Sequence, residues 1–214
     1  MIFEAGQRIL FVGDSITDAG RARPIGQAGF GGLGNGYVSL VHAMITAEFP
    51  ELGLKFINVG TSGNTVRDLR ARWQTDVLDL QPDWVFVMIG INDIWRQMDS
   101  PTNLDAPVKV GEYAATLKDL VTEAAQIAKG VFILPAFFME PQREDPMRKM
   151  TDTFRTAAET VAAETGAGLI YVQPAFDRFL QHRHSASLAW DRVHPDPVGC
   201  VLIANEIVHT IKGD

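Results

Sequence analysis

The 214-residue chain has a single cysteine, Cys200. That excludes an intramolecular disulfide and any zinc site built from cysteine pairs. Long apolar runs are missing too: none approaches the ~20 residues that cross a bilayer as a helix. Basic residues are outnumbered, 19 Lys and Arg against 26 Asp and Glu, for a formal net charge of −7. Nucleic acid and anionic membrane surfaces, which both select clustered Lys and Arg, are therefore poor partners. The opening residues, MIFEAGQ, lack the basic flank, apolar run and small-residue cleavage site of a signal peptide. The expected setting is the cytoplasm. No repeat, low-complexity tract or linker divides the chain, so residues 1–214 are expected to form one domain. At 46% hydrophobic, they can fill a sizeable core.

What is present is organised around residues 9–18, Ile-Leu-Phe-Val-Gly-Asp-Ser-Ile-Thr-Asp. The apolar run 9–12 reads as a strand buried on both faces. Gly13 permits a tight turn, and Ser15 emerges past the strand's carboxyl end, where open parallel sheets bind ligands. Further strands are expected at 54–59, 84–89, 131–134 and 169–172. Helices are expected at 37–48, 65–80, 113–124, 147–161 and 196–211, with Arg67, Arg70 and Arg72 mostly on the outer face of the second. The glycine-rich stretch 19–36 and the polar stretch 95–110 read as loops. Gly29-x-Gly31-x-x-Gly34 matches a dinucleotide fingerprint by letter only. It does not directly follow its strand, and a strand-end acid ~20 residues on is missing, which excludes a nucleotide site.

Five strands alternating with helices predict an α/β fold, a three-layer α/β/α sandwich around a five-stranded parallel sheet. A flavodoxin-like order, 2-1-3-4-5, sets the first three strands side by side. Their carboxyl ends then bring Ser15, Gly63 and Asn92 together.

A serine hydroxyl becomes a useful nucleophile when a base takes its proton, a role suited to histidine. Asp191 lies three residues before His194, close enough to hold Nδ1–H and leave Nε2 for Ser15. An oxyanion needs fixed donors: the N–H groups of Ser15 and Gly63 and the side-chain amide of Asn92 qualify. Each feature alone has an ordinary explanation, an ion pair for Asp191-x-x-His194, an N-cap for Ser62 or Asn64, a turn for residues 90–93. Their order along the chain favours the catalytic reading. Trp95 and Trp190 flank these blocks, as packing residues or as sugar-stacking platforms. Ser62 is not in a Gly-x-Ser-x-Gly elbow, because position 64 is Asn. His182-x-His184 is too sparse for a metal site. Asp14, Asp18 and Asp93 have no histidine-rich ligand set beside them, so no metal or other cofactor is expected.

Together the Gly-Asp-Ser block, Ser62-Gly63-Asn64, Gly90-x-Asn92-Asp93 and Asp191-x-x-His194 resemble the four blocks of the SGNH (GDSL) hydrolases. The resemblance implies the fold of that family and the roles above for Ser15, Gly63, Asn92 and His194. GDSITDAGRARP, SGNTVRDLRARW, IGINDIWRQ, DPMR and LAWDRVHP look like the intracellular acetylxylan esterases within it. That likeness implies deacetylation of xylo-oligosaccharides through an acyl-serine, by a homo-oligomer. The rival expectations are a lysophospholipase or thioesterase acting on longer acyl chains, and a non-catalytic carbohydrate-binding module.

Overall fold

A computed structural model describes residues 1–98 and 107–213. Strand β1, Arg8–Gly13, enters the core with only its first residue exposed and ends in a single helical turn, α1, Ser15–Asp18. A two-residue strand β2, Gly26–Gln27, interrupts the glycine-rich segment before helix α2, Tyr37–Glu48. Strand β3, Lys55–Asn58, leads to α3, Val66–Asp76, and β4, Trp84–Ile89, to the short α4, Ile91–Trp95. Helix α5, Val110–Ala125, strand β5, Gly130–Pro135, and helix α6, Pro146–Thr165, follow. Strand β6, Gly168–Leu169, and helices α7, Gln173–Leu180, and α8, Pro197–Lys212, complete the chain.

The sheet order is β2-β3-β1-β4-β5-β6. Without β2 this is the predicted 2-1-3-4-5, all parallel. The sheet thus has six strands rather than five, and its edge pair is antiparallel: Gly26 and Gln27 face Asn58 and Ile57. Two residues without periodicity leave no pattern to read. The chain steps from β1 outward to β3, then back past β1 to β4. Right-handed crossovers therefore put α2 on one face and α3, α5 and α6 on the other. α8 returns to pack on α2, and α5 packs against both α3 and α6. That reversal makes the carboxyl ends of β1 and β4 the switch point where a parallel sheet opens a crevice.

Phe11, Phe86 and Phe132 hold the same register on β1, β4 and β5 and stack at 4.8 and 5.0 Å between centroids. This aromatic row stiffens the centre of the sheet beneath the switch point. Gly13 closes the row. A Cβ there would stand 2.2 Å from the Met88 carbonyl oxygen, so β1 can approach β4 this closely only with glycine.

Helix α2 and strand β4 match their expected spans. Helix α3 is shorter than 65–80, because it stops at Val77 and gives way to a 3₁₀ turn, Leu78–Leu80, with Gln81 left-handed. Strand β6 covers 168–169 instead of 169–172, since only Phe132 and Ile133 offer it a ladder. Half of the expected loop 95–110, residues 99–106, lies outside the described residues, and its two end positions belong to α4 and α5.

Candidate active site

Ser15 is the first residue of α1, and Asp14 caps that turn by accepting the Ile16 N–H at 3.0 Å. Capping forces the chain to leave β1 abruptly, so the Ser15 side chain stands at the carboxyl edge of the sheet. Its Oγ lies 2.7 Å from His194 Nε2. The other ring nitrogen, Nδ1, lies 2.6 Å from Asp191 Oδ2. A carboxylate only accepts, so Nδ1 carries the proton and Nε2 is free to accept from the serine. Asp191 also receives the N–H groups of Val193 and His194 through Oδ1, both at 2.9 Å. Burial opposes ionisation of this carboxyl. The bonds from the His194 ring and from the two backbone N–H groups outweigh it and hold the pKa below the usual carboxylate value.

Asn92 is buried on α4, and its amide donates to the Asn64 carbonyl at 3.0 Å, leaving a second amide hydrogen for a ligand. Gly63 is exposed, with φ +82°, a left-handed conformation that glycine adopts without strain. Among the described residues, no acceptor engages the N–H of Ser15 or of Gly63. The helix that follows is capped by Thr65, through a reciprocal box with Asp68, and not by Ser62 or Asn64. Ser62 is used otherwise. Its N–H and hydroxyl both donate to Asp18 Oδ2, at 3.0 and 2.8 Å, which ties the Gly63 loop to the turn that carries Ser15. The carboxyl of Asp18 is held below its usual pKa, because bonds from Arg23 and Ser62 outweigh the opposing effect of burial. Asn58 braces the same loop by donating to the Thr17 and Leu33 carbonyls and accepting from the Gly60 N–H.

The two tryptophans part company. Trp95 packs against the His194 ring, 5.7 Å between centroids, so it walls that side of the site. Trp190 is 87% exposed and rests on no core. Asp14, Asp18 and Asp93 each accept a backbone N–H, Asp14 from Ile16, Asp18 from Ser62 and Asp93 from Val66 at the start of α3. His184 accepts the Ala186 N–H and caps a 3₁₀ turn.

The sequence reading missed a second tier that bolts the Asp191–His194 loop down. Arg192 is left-handed at φ +64°, and its carbonyl accepts the Met139 N–H. Its guanidinium pairs with Glu140 at 2.6 Å and lies 4.9 Å over the Phe138 ring. Buried Arg148 donates to the Glu140 carbonyl and to Asp177. The DPMR block, noticed only as a likeness, supplies this arginine.

With that geometry in hand, comparison with known proteins gives consistent results. A model of the GDSL-like lipase/acylhydrolase family matches residues 11–201. The chain belongs to that family. It is 46% identical over 207 residues to an acetylxylan esterase of Geobacillus stearothermophilus, covering 97% of this chain and 94% of that protein. The crystal structure of Axe2, an acetylxylan esterase of the same organism, matches with a TM-score of 0.96 at 45% identity, covering 99% of this chain and 96% of that one. LAE5, an alpha/beta hydrolase enzyme from the metagenome of Lake Arreo, matches at 0.95 and 50% identity, covering 99% and 98%. Both solved structures thus match nearly the whole length of the chain.

Proposed function

We propose that this GDSL-family chain is a serine carboxylesterase that removes acetyl groups from acetylated xylo-oligosaccharides. The carrying observation is the unbroken relay Ser15 Oγ, His194, Asp191, with heavy-atom separations of 2.7 and 2.6 Å. His194 Nε2 takes the serine proton as Oγ attacks the acetyl carbonyl. The carbonyl oxygen becomes an oxyanion that the Ser15 and Gly63 N–H groups and the Asn92 amide receive. Collapse returns the proton from His194 to the sugar oxygen and leaves acetyl-Ser15. Water then attacks, His194 takes its proton, and acetate departs as Ser15 Oγ is reprotonated. Asp191 keeps the imidazole in one tautomer and offsets its charge in both halves.

Support for the assignment of roles comes from Axe2, whose solved catalytic mutants replace a serine, an aspartate and a histidine. Support for the substrate comes from the same protein, described as an acetyl-xylooligosaccharide esterase. Exposed Trp190, next to Asp191 in sequence, offers a free aromatic face suited to stacking on a sugar ring. Half-buried Trp95 is assigned to shaping the His194 side of the pocket. A cytoplasmic setting and a homo-oligomeric assembly of one-domain protomers belong to the same proposal, on the family likeness.

The test is acetate release from acetylated xylo-oligosaccharides, set against aryl esters of increasing acyl length. Acetyl esters should be cleaved fastest, and Ser15→Ala should abolish the activity. Trp190→Ala should lower kcat/KM on the oligosaccharide by about tenfold, the worth of one aromatic contact, and leave an aryl acetate unchanged. Preference for octanoyl esters would favour the long-chain acylhydrolase reading instead.

A further inference from the structure

Three arginines on α3 looked alike in the sequence, and two of them behave as expected. Arg67 pairs with Glu112 and Arg70 with Glu123, in exposed contacts between α3 and α5. Arg72 turns inward, its side chain 16% exposed. Its Nη2 donates to the Gly13 carbonyl at 2.9 Å, and Nη1 to the Val59 carbonyl at 2.7 Å and to Asp76 at 2.8 Å. Its Nε donates to the side-chain oxygen of Asn64 at 2.6 Å. One guanidinium therefore joins the end of β1, the end of β3 and the loop that opens α3.

Those three points bear on the proposed chemistry. Gly13 lies two residues before Ser15. Asn64 follows Gly63, and its backbone carbonyl accepts the amide of Asn92. From Arg72 the connections run to every group assigned to the oxyanion: Ser15 through Gly13, Gly63 and Asn92 through Asn64. We propose that Arg72 is a positioning residue that sets the spacing between the nucleophile and the oxyanion donors. The inference rests on the serine esterase reading above. Arginine suits the task because its planar fork engages four acceptors at once in fixed directions. A lysine has three donors on one atom and cannot span them. The bonds to the Asn64 oxygen and to two strand-end carbonyls are charge-assisted, and so stronger than neutral ones.

Arg72→Lys should lower kcat on an aryl acetate by about 10- to 100-fold, the range expected from sub-ångström misplacement of reacting groups, with KM changed less than threefold. Rates are to be expressed per active site, counted by stoichiometric phosphonylation of Ser15, so that loss of folded protein does not enter. Arg70→Ala, which removes an exposed pair on the same helix, should change kcat less than twofold. If Arg72→Lys does not fold, Asn64→Ala keeps the backbone carbonyl and removes only the link, and should lower kcat by about three- to tenfold. Combined in one protein, the two substitutions should cost little more than Arg72→Lys alone, because they cut one connection. An unchanged kcat per site in both variants, whatever the melting temperature, would overturn the inference. Failure of the organophosphonate to label Ser15 in the unaltered protein would instead overturn the esterase reading beneath it.

Discussion

The two halves of the site hold their acids in opposite ways. In the strand-end half, Asp14 and Asp93 are the chain neighbours of Ser15 and Asn92, and the ion pairs seen among the described residues include neither. Burial drives the Asp14 pKa from the usual 3.8 up to about 7, with the Asp93 charge adding to the rise. Burial likewise lifts Asp93 to about 6. In the loop half, Asp191 bonds to the His194 ring and two N–H groups. Asp177 bonds to Arg148 and Gln173, and these contacts outweigh burial in holding both carboxyls below the usual range. The same residue type is thus tuned toward the neutral acid in one half and toward the carboxylate in the other. Partners decide which, since burial alone pushes all four in one direction.

Replacing an aspartate by asparagine in each half should therefore have unrelated consequences. Asp191→Asn leaves the shape but presents an amide donor to Nδ1, which favours the wrong tautomer and withdraws the charge facing the imidazolium. Steady-state rates on an aryl acetate should fall by about 10³–10⁴-fold in kcat. A loss below tenfold would mean that Asp191 only anchors its loop, through the Val193 and His194 N–H groups.

In the proposed mechanism the strand-end half contributes through donors. Asn92→Ala removes an amide that matters more to the oxyanion than to the ground-state carbonyl, so kcat should fall by about 10²–10³-fold with KM nearly constant. A raised KM with normal kcat would make Asn92 a substrate-binding residue. The comparison sharpens if Asp191→Asn also changes the pH profile while Asn92→Ala shifts the rate equally at every pH.

The two halves also differed in how far the sequence disclosed them. Strand β4 and helix α2 were legible because a continuous apolar run and a 3.6-residue period are local signals. The order Ser15, Gly63, Asn92 followed from topology, since parallel strands present their carboxyl ends at one edge. The turn α1, the short α4 and α7, and strand β2 were not legible. Turn α1 depends on its Asp14 cap, β2 on a neighbour's ladder, and α4 is too short to show a period, whereas α7 buries Ala175, Phe176 and Leu180 at helical spacing in only eight residues. Arg72 misled for a related reason. A helical wheel separates apolar from polar faces, but it cannot show that the polar face meets carbonyls at two strand ends. The Glu140–Arg192 and Arg148–Asp177 contacts lie 52 and 29 residues apart in sequence and carry no motif of their own.

The remaining expected effect is one of stability rather than rate, and it has the opposite sign from the usual acid substitution. Asp14 has a folded-state pKa near 7 against 3.8 in the unfolded chain. Between those values the folded protein holds a proton that the unfolded chain has released. Stability therefore declines as pH rises through that window, and levels off once both forms are ionised. Below pH 3.8 the group contributes nothing to this slope. Asp14→Asn keeps an oxygen to accept the Ile16 N–H, and gives the second position a neutral amide where one carboxyl oxygen has no partner among the described residues. The variant should match the parent near pH 4 and gain on it steadily up to about pH 7. One pKa unit corresponds to about 1.4 kcal/mol, so the shift sets an upper bound on the order of 4 kcal/mol, before the new amide's own burial is charged against it. Urea denaturation at pH 4, 6 and 8 measures the difference. A constant offset across the three would mean that Asp14 does not change its ionisation on folding. A gain at pH 4 that vanishes at pH 8 would mean that the site prefers the carboxylate, as Asp191 does in the other half.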